Sequence, residues 1–222
     1  MKKYENTKAY WDNVFEHFNR PFPQLITTQV EKLDQAILSL GKPNMKALDF
    51  GFGSGMVLLM FAMHFEGQFT GIELSSKACD LASRLFTHYG IEDATFIEGS
   101  FDAIKNIEAA SLDVFVASNI LDNLTEDDGL VLLEEAYRTL KPGGSVLVKL
   151  NDFYSEAQLE LHKAKKLSEN LYEEDSGIYL LNLETYAWKQ RFSKWFFIVD
   201  NYTLEMPHGK MKNRMFILKK PI

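Results

Sequence analysis

Apolar positions change period several times along the chain, and each change predicts an element. Tyr10, Trp11, Val14, Phe15 and Phe18 recur at helical spacing with Asp12, Asn13, Glu16 and His17 between them. This predicts an amphipathic helix over residues 7–19, ended by Pro21-Phe22-Pro23. Val30, Leu33, Ile37 and Leu38 predict a second helix, stopped by Gly41 and Pro43. Short apolar runs then alternate with helical stretches. Strands are expected at Met45–Phe50, Gln68–Ile72, Ala94–Glu98, Leu112–Ser118 and Ser145–Leu150. Helices are expected at Met56–Phe65, at Ser76–Tyr89 with Gly90 as its stop, and from Thr125 to about Leu140. Lys141-Pro142-Gly143-Gly144 reads as a turn before the fifth strand. Residues 155–175 are charged and helical in character, with Ser155 and Gln158 at capping-box spacing, and Gly177–Asn182 breaks them. A helix over Glu184–Ser193 and strands at Trp195–Tyr202 and Asn213–Lys219 complete the pattern.

Strands alternating with helices imply an α/β, doubly wound, mostly parallel sheet with helices on both faces. In such a fold the ligand crevice lies at the carboxyl ends of the strands. Asp49, Glu73, Ser100, Asn119, Asn151 and Asp152 all fall at those ends. At 222 residues the chain suits one domain: a helical cap at 1–44, a core at 45–150, a variable segment at 151–194 and a closing hairpin at 195–222.

The first strand runs into Gly51-Phe52-Gly53-Ser54-Gly55 and then a helix. Glycine at alternate positions lets a ligand approach the backbone and aims amides outward at a helix N-terminus. A dinucleotide fingerprint needs its third glycine at position 56, which is Met56, and no Gly-Lys-Ser or Gly-Lys-Thr follows for a Walker loop. Glu73 stands 24 residues after Asp49, where doubly wound folds place a ribose-binding acid.

Composition narrows the partners. The net charge of −7, from 24 basic and 31 acidic residues, argues against broad nucleic-acid binding. A single cysteine, Cys79, permits no internal disulfide and suits a reducing compartment; it reads as a small core residue. The first residues lack the apolar core of a signal peptide, and no apolar run is long enough to cross a membrane, so a cytoplasmic location is expected. Glu126, Asp127 and Asp128 read as a solvated first helical turn. Lys210, Lys212, Arg214, Lys219 and Lys220 read as solvated positions on an edge hairpin.

Asp49-x-Gly51-x-Gly53-x-Gly55, Glu73, Asn119 and Leu140-Lys141-Pro142-Gly143-Gly144 together resemble the motifs of class I S-adenosylmethionine-dependent methyltransferases, in register over about residues 45–150. The resemblance implies a seven-stranded sheet whose last strand is antiparallel, with Asn151–Asn182 lying over the pocket. It also implies that Asp49 and the glycine loop, Gly51, Phe52, Gly53 and Gly55, hold the methionyl part of the cofactor. Glu73, with Leu74 beside it, would hold the ribose, and Asn119 would join the shell. Many members carry an acid directly after the third strand, whereas here Gly99 is followed by Ser100, Phe101 and only then Asp102, which become the adenine-side candidates. In similar members an N-terminal segment covers the active site. Tyr10, Trp11 or His17 would then meet cofactor or substrate, against the plainer reading that the aromatic stripe only packs on the domain.

Methyl transfer is an in-line displacement that needs positioning more than an activated protein nucleophile. The chain has no Gly-x-Ser-x-Gly elbow, and its five histidines show no metal-ligand spacing. A base could be supplied by Asp122, Asp152 or His17, with Asn123, Asn151, Tyr154 and His208 as further candidates. Asn119 is followed by Ile120 and Leu121, so the Asn-Pro-Pro-Tyr type motif of enzymes acting on planar amino groups is absent. Asn151-Asp152 resembles the pair of magnesium-dependent catechol-type members, but Ser118 and Asn119 replace their acid after the fourth strand, and no metal is expected. The expected reaction is methylation of an oxygen or nitrogen atom of a small molecule, giving S-adenosylhomocysteine. The alternatives are a cofactor-binding protein without turnover, and an RNA or protein methyltransferase.

Overall fold

Alternation of apolar side chains along each strand decides which layer each residue enters. Ala47, Val114, Val116, Leu147 and Met215 face one core cluster, and their neighbours Leu48, Phe115, Ala117, Val146, Val148 and Phe216 face the other. The computed structural model describes residues 2–18, 20–207 and 211–222. Its strands are β1 (Met45–Phe50), β2 (Gly67–Glu73), β3 (Ala94–Glu98), β4 (Leu112–Ser118), β5 (Leu140–Asn151), β6 (Lys165–Lys166), β7 (Leu171–Glu173), β8 (Tyr179–Leu181), β9 (Phe197–Glu205) and β10 (Lys212–Lys219). Seven of them form one sheet in the order β3-β2-β1-β4-β5-β10-β9. β1 to β5 pair in parallel, while β10 runs antiparallel to both β5 and β9, so six strands point one way and β10 the other.

Helices α2 (Glu31–Ser39), α3 (Met56–His64) and α4 (Ser76–His88) supply the cluster on one face. α6 (Glu126–Thr139) and α8 (Thr185–Phe192) supply the other, where Trp188 and Phe192 are fully buried. Cys79, half-buried in α4, has its thiol pushed up to about 12 by burial and by the charges of Glu73, Glu98 and Asp80, as suits an inert position.

Several elements depart from the sequence reading, among them β9, which runs Phe197–Glu205 where Trp195–Tyr202 was expected. α1 covers Glu5–Glu16, starting earlier and stopping sooner than residues 7–19; the His17 amide closes on the Asn13 carbonyl. The Lys141–Gly144 turn lies inside β5, where Leu112 pairs with Leu140 and Val114 with Ser145, so the extra residues bulge out of the ladder. The helix expected over 155–175 is only α7 (Glu156–Leu161), with the capping box of Ser155 and Gln158 in place. Lys163 then adopts φ 52°, which stops the helix, and β6, β7 and β8 form a small antiparallel sheet. The remaining short helix, α5 (Phe101–Ile104), follows β3 directly.

That small sheet is tied to the N-terminal helix at Gly177. This residue has φ +77°, and a Cβ there would stand 2.7 Å from Cβ of Asn6. Gly177→Ala is expected to cost about 1–2 kcal/mol in backbone strain, lowering the melting temperature by about 2–8 °C in thermal denaturation.

Candidate active site

The glycine loop is held from two sides. The Gly51 amide donates to the Ile72 carbonyl at 2.8 Å, and Gly51, Gly53 and Gly55 all have positive φ. At Gly51 a Cβ would come within 2.8 Å of the Ile120 side chain, so glycine is required there for space as well as for conformation. Gly55 begins α3, its carbonyl accepting from the Leu59 amide. The Gly53 amide points across to β2, where it donates to Oε2 of Glu73 at 3.0 Å. The Ser75 amide takes the other oxygen, Oε1, also at 3.0 Å.

Glu73 is therefore a buried, pre-aligned carboxylate, 7% exposed, with acceptor capacity left over after its two backbone bonds. Burial raises its pKa, and the amides of Ser75, Gly53 and Leu74 pull it part of the way back. Asp49, 1% exposed, stands beside it with Oδ1 unpartnered. Burial first, and the Glu73 charge second, raise the Asp49 pKa to about 8, against the opposing pull of Lys149. An unpaired carboxyl oxygen between a glycine loop and a second acid is a place for a cationic donor.

The other predicted cofactor residues divide. The Phe52 ring is buried, 5.2 Å from the ring of Phe96 and packed over Gly71, so only its backbone is left to the pocket. The Leu74 carbonyl accepts Lys8 Nζ at 2.8 Å. Ser100 starts α5 without capping it, Phe101 leans on Phe50 at 5.6 Å, and Asp102 is exposed.

Helix α1 lies across this end of the sheet with no buried residue of its own. Lys8 also binds Glu98 at 2.9 Å, Asp12 accepts from the Ser75 hydroxyl at 2.7 Å, and a Cβ at Gly53 would stand 3.6 Å from the Phe15 ring. Lys8 and Asp12 were not singled out in the sequence, because an opposite-charge pair four apart on a helix reads as a solvated face. The aromatic stripe packs on this end of the domain: Trp11 stacks on Phe15, whose ring lies over the loop. His17 is exposed and turned onto the Asn13 carbonyl at 2.8 Å, apart from this cluster. Asp128, read as a solvated turn residue, instead pairs with Lys3 at 2.6 Å and accepts from Tyr4, fastening the chain's start to α6.

Across the sheet, the ends of β4 and β5 form a buried polar network. Asn119, with φ 54°, donates its side-chain amide to Oδ1 of Asn151 at 3.0 Å and accepts from Lys149 Nζ. Asp122, 1% exposed, accepts the Asn151 amide on Oδ2 at 2.7 Å, while Oδ1 has no partner. Burial raises the Asp122 pKa against the pull of Arg214 and Lys149. Burial likewise lowers that of Lys149, with Asp122 and Asp49 opposing. Arg214, 5% exposed, donates Nε to the Asn151 carbonyl at 2.9 Å and Nη1 to that of Leu183 at 2.7 Å. This corrects the reading of Arg214 as a solvated edge residue: β10 is an interior strand, and its side chain is held by carbonyls. Asp152 caps the Phe153 amide at 2.9 Å. His208 and Lys210 lie outside the described residues. Lys149 was missed, and its one available signal was a cation inside an otherwise apolar strand.

Residues 47–144 match a family model described as a methyltransferase domain. Over these residues, 98 of the 222, the chain is similar to methyltransferase domains. Among curated relatives, a tRNA N(3)-methylcytidine methyltransferase of Schizosaccharomyces pombe is 29% identical over 136 residues, 59% of this chain and 43% of that protein. An arsenite methyltransferase of Aquipseudomonas alcaligenes is 31% identical over 122 residues, 51% of this chain and 34% of that protein. The chain thus spans less than half the length of either. The structure of an N-methyltransferase from Bradyrhizobium japonicum with S-adenosylhomocysteine has the same fold, with a TM-score of 0.71 over 98% of this chain and 100% of that one at 12% identity.

The seven-stranded sheet and its antiparallel last strand, β10, agree with the resemblance. The net charge of −7 does not exclude a nucleic-acid acceptor, since one relative is a tRNA enzyme. Among the described residues no helix is long and apolar enough to cross a membrane.

Proposed function

We propose that the chain transfers the methyl group of S-adenosylmethionine to an oxygen or nitrogen atom of a small-molecule acceptor. The observation that carries this reading is the paired-acid arrangement at the glycine loop. Glu73 is locked by the Gly53 and Ser75 amides beside an Asp49 whose Oδ1 has no partner. The residues fit the cofactor: its ammonium group would favour the charged form of Asp49 and draw out the proton held in the empty site, and Glu73 retains acceptor sites for a pair of ribose hydroxyls. When bound, the cofactor supplies a methyl group on a sulfonium. The chain's own part is to hold the acceptor in line and to take up a proton where the acceptor carries one.

The tethering of the segment after β5 to the end of β4 favours a small molecule over a polymer. β8 lies against the Leu121–Asn123 turn, where Asn123 donates to the Tyr179 carbonyl at 2.8 Å. Asn182 brackets Tyr154, accepting its amide at 2.9 Å and donating to its carbonyl at 2.8 Å. An RNA acceptor is the second reading, favoured by the S. pombe relative.

Calorimetric titration of S-adenosylmethionine, S-adenosylhomocysteine and NAD into the protein tests the reading. Micromolar binding of the two sulfur compounds and none of NAD is expected, with S-adenosylhomocysteine appearing on incubation with a pool of small acceptors. Binding of NAD alone would sink the proposal.

A further inference from the structure

Where β4 and β5 end, Asp122 is a buried acid with half of its carboxylate uncommitted. Oδ2 turns back to the Asn151 amide, and Oδ1 accepts nothing. A buried carboxylate oxygen without a donor is costly to maintain unless something arrives to supply one. Two more acids share its surroundings. The charges of Glu174, Asp122 and Asp152 all act on the Tyr154 hydroxyl. The His162 ring stacks on Tyr154 at 5.2 Å, and its charge acts on Glu174.

The cations nearby are already engaged. Lys149 donates to Asn119, and Arg214 donates to the Asn151 and Leu183 carbonyls. Among the described residues none makes an ion pair with Asp122. Asp122, Asp152 and Glu174 thus bring three carboxylates together here, against Lys149 and Arg214, whose donors are already committed. Such surroundings suit a cation.

We infer that the acceptor is a primary or secondary amine, bound as its cation with an N–H donating to Oδ1 of Asp122. The inference rests on the methyltransferase reading above and narrows its substrate class. A carboxylate substrate would meet three like charges here, and an alcohol would bring no positive charge to offset them. An ammonium nitrogen has no lone pair with which to attack carbon. Asp122 therefore takes one N–H proton, and the freed pair forms the new N–C bond as the S–C bond breaks, its electrons remaining on sulfur. The proton passes from Asp122 to solvent after the methylated amine leaves.

The test uses the full chain saturated with S-adenosylhomocysteine and titrated with benzylamine, benzyl alcohol and benzoate, for wild type and for Asp122→Asn. Asparagine can still accept the Asn151 amide through its carbonyl, so the fold contact is kept. Wild type is expected to bind benzylamine about tenfold or more tightly than benzyl alcohol. In the variant that preference collapses while the affinity for S-adenosylhomocysteine stays as in wild type. Equal binding of amine and alcohol, preference for benzoate, binding of none of the three, or an amine preference that survives in the variant each overturns the inference. Failure of wild type to bind S-adenosylhomocysteine at all would instead remove the methyltransferase reading on which it stands.

Discussion

Glu73→Ala weakens binding of S-adenosylmethionine and S-adenosylhomocysteine by about 10- to 100-fold in calorimetry, the equivalent of a lost charged hydrogen bond of about 1.5–3 kcal/mol. The effect has two sources. The variant loses the acceptor proposed for the cofactor's ribose, and it releases the Gly53 and Ser75 amides that Glu73 holds at 3.0 Å each. Glu73→Gln separates them, because its side-chain carbonyl can still accept from an amide while the charge is gone. An intermediate affinity for Glu73→Gln is expected. Unchanged binding in Glu73→Ala would mean that the carboxylate serves only the loop.

Asp49→Asn abolishes measurable cofactor binding and at the same time stabilises the cofactor-free protein at alkaline pH. The sign follows from the raised pKa. In the unfolded chain Asp49 releases its proton near pH 4, whereas in the fold it holds it to about pH 8. Between those values the folded state binds a proton that the unfolded state has lost, so the stabilising contribution is complete below about pH 4. It drains away as pH rises to about 8. Asparagine carries no charge to bury and is free of this penalty. Melting curves of the two proteins should therefore nearly coincide at pH 4 and separate by several degrees at pH 8, each kcal/mol being about 2–4 °C for a chain of this size. Parallel curves at all pH values would show that Asp49 is not held protonated.

The two acids also show what was legible in the sequence. The ends of β1 and β2 could be read because Asp49 and Glu73 follow short apolar runs and glycines punctuate the turn between them. Those are local signals. The ends of β4 and β5 were legible only in part: Asn119, Asn151 and Asp152 were placed there, but the contacts of Lys149 and Arg214 depend on partners far away in the chain. Arg214 is held by Asn151 and Leu183, contacts that no spacing rule announces. Residues 162–175 were misread for a different reason. Their charge resembles that of a solvated helix, and the strands β6 to β8 are only two or three residues long, too short to show an alternating pattern.

The place of β10 in the sheet has a kinetic consequence. It lies between β5 and β9 although it follows both in the chain. The sheet therefore cannot grow by adding neighbours in sequence order. Until β10 inserts, β5 presents an open edge carrying Val146, Leu147, Val148 and Leu150, and β9 has no partner in the sheet. Closure waits on a long loop, which makes refolding slow and leaves a sticky intermediate at high protein concentration. Refolding yield should thus depend on dilution, through the lifetime of a half-built sheet rather than the stability of the finished one.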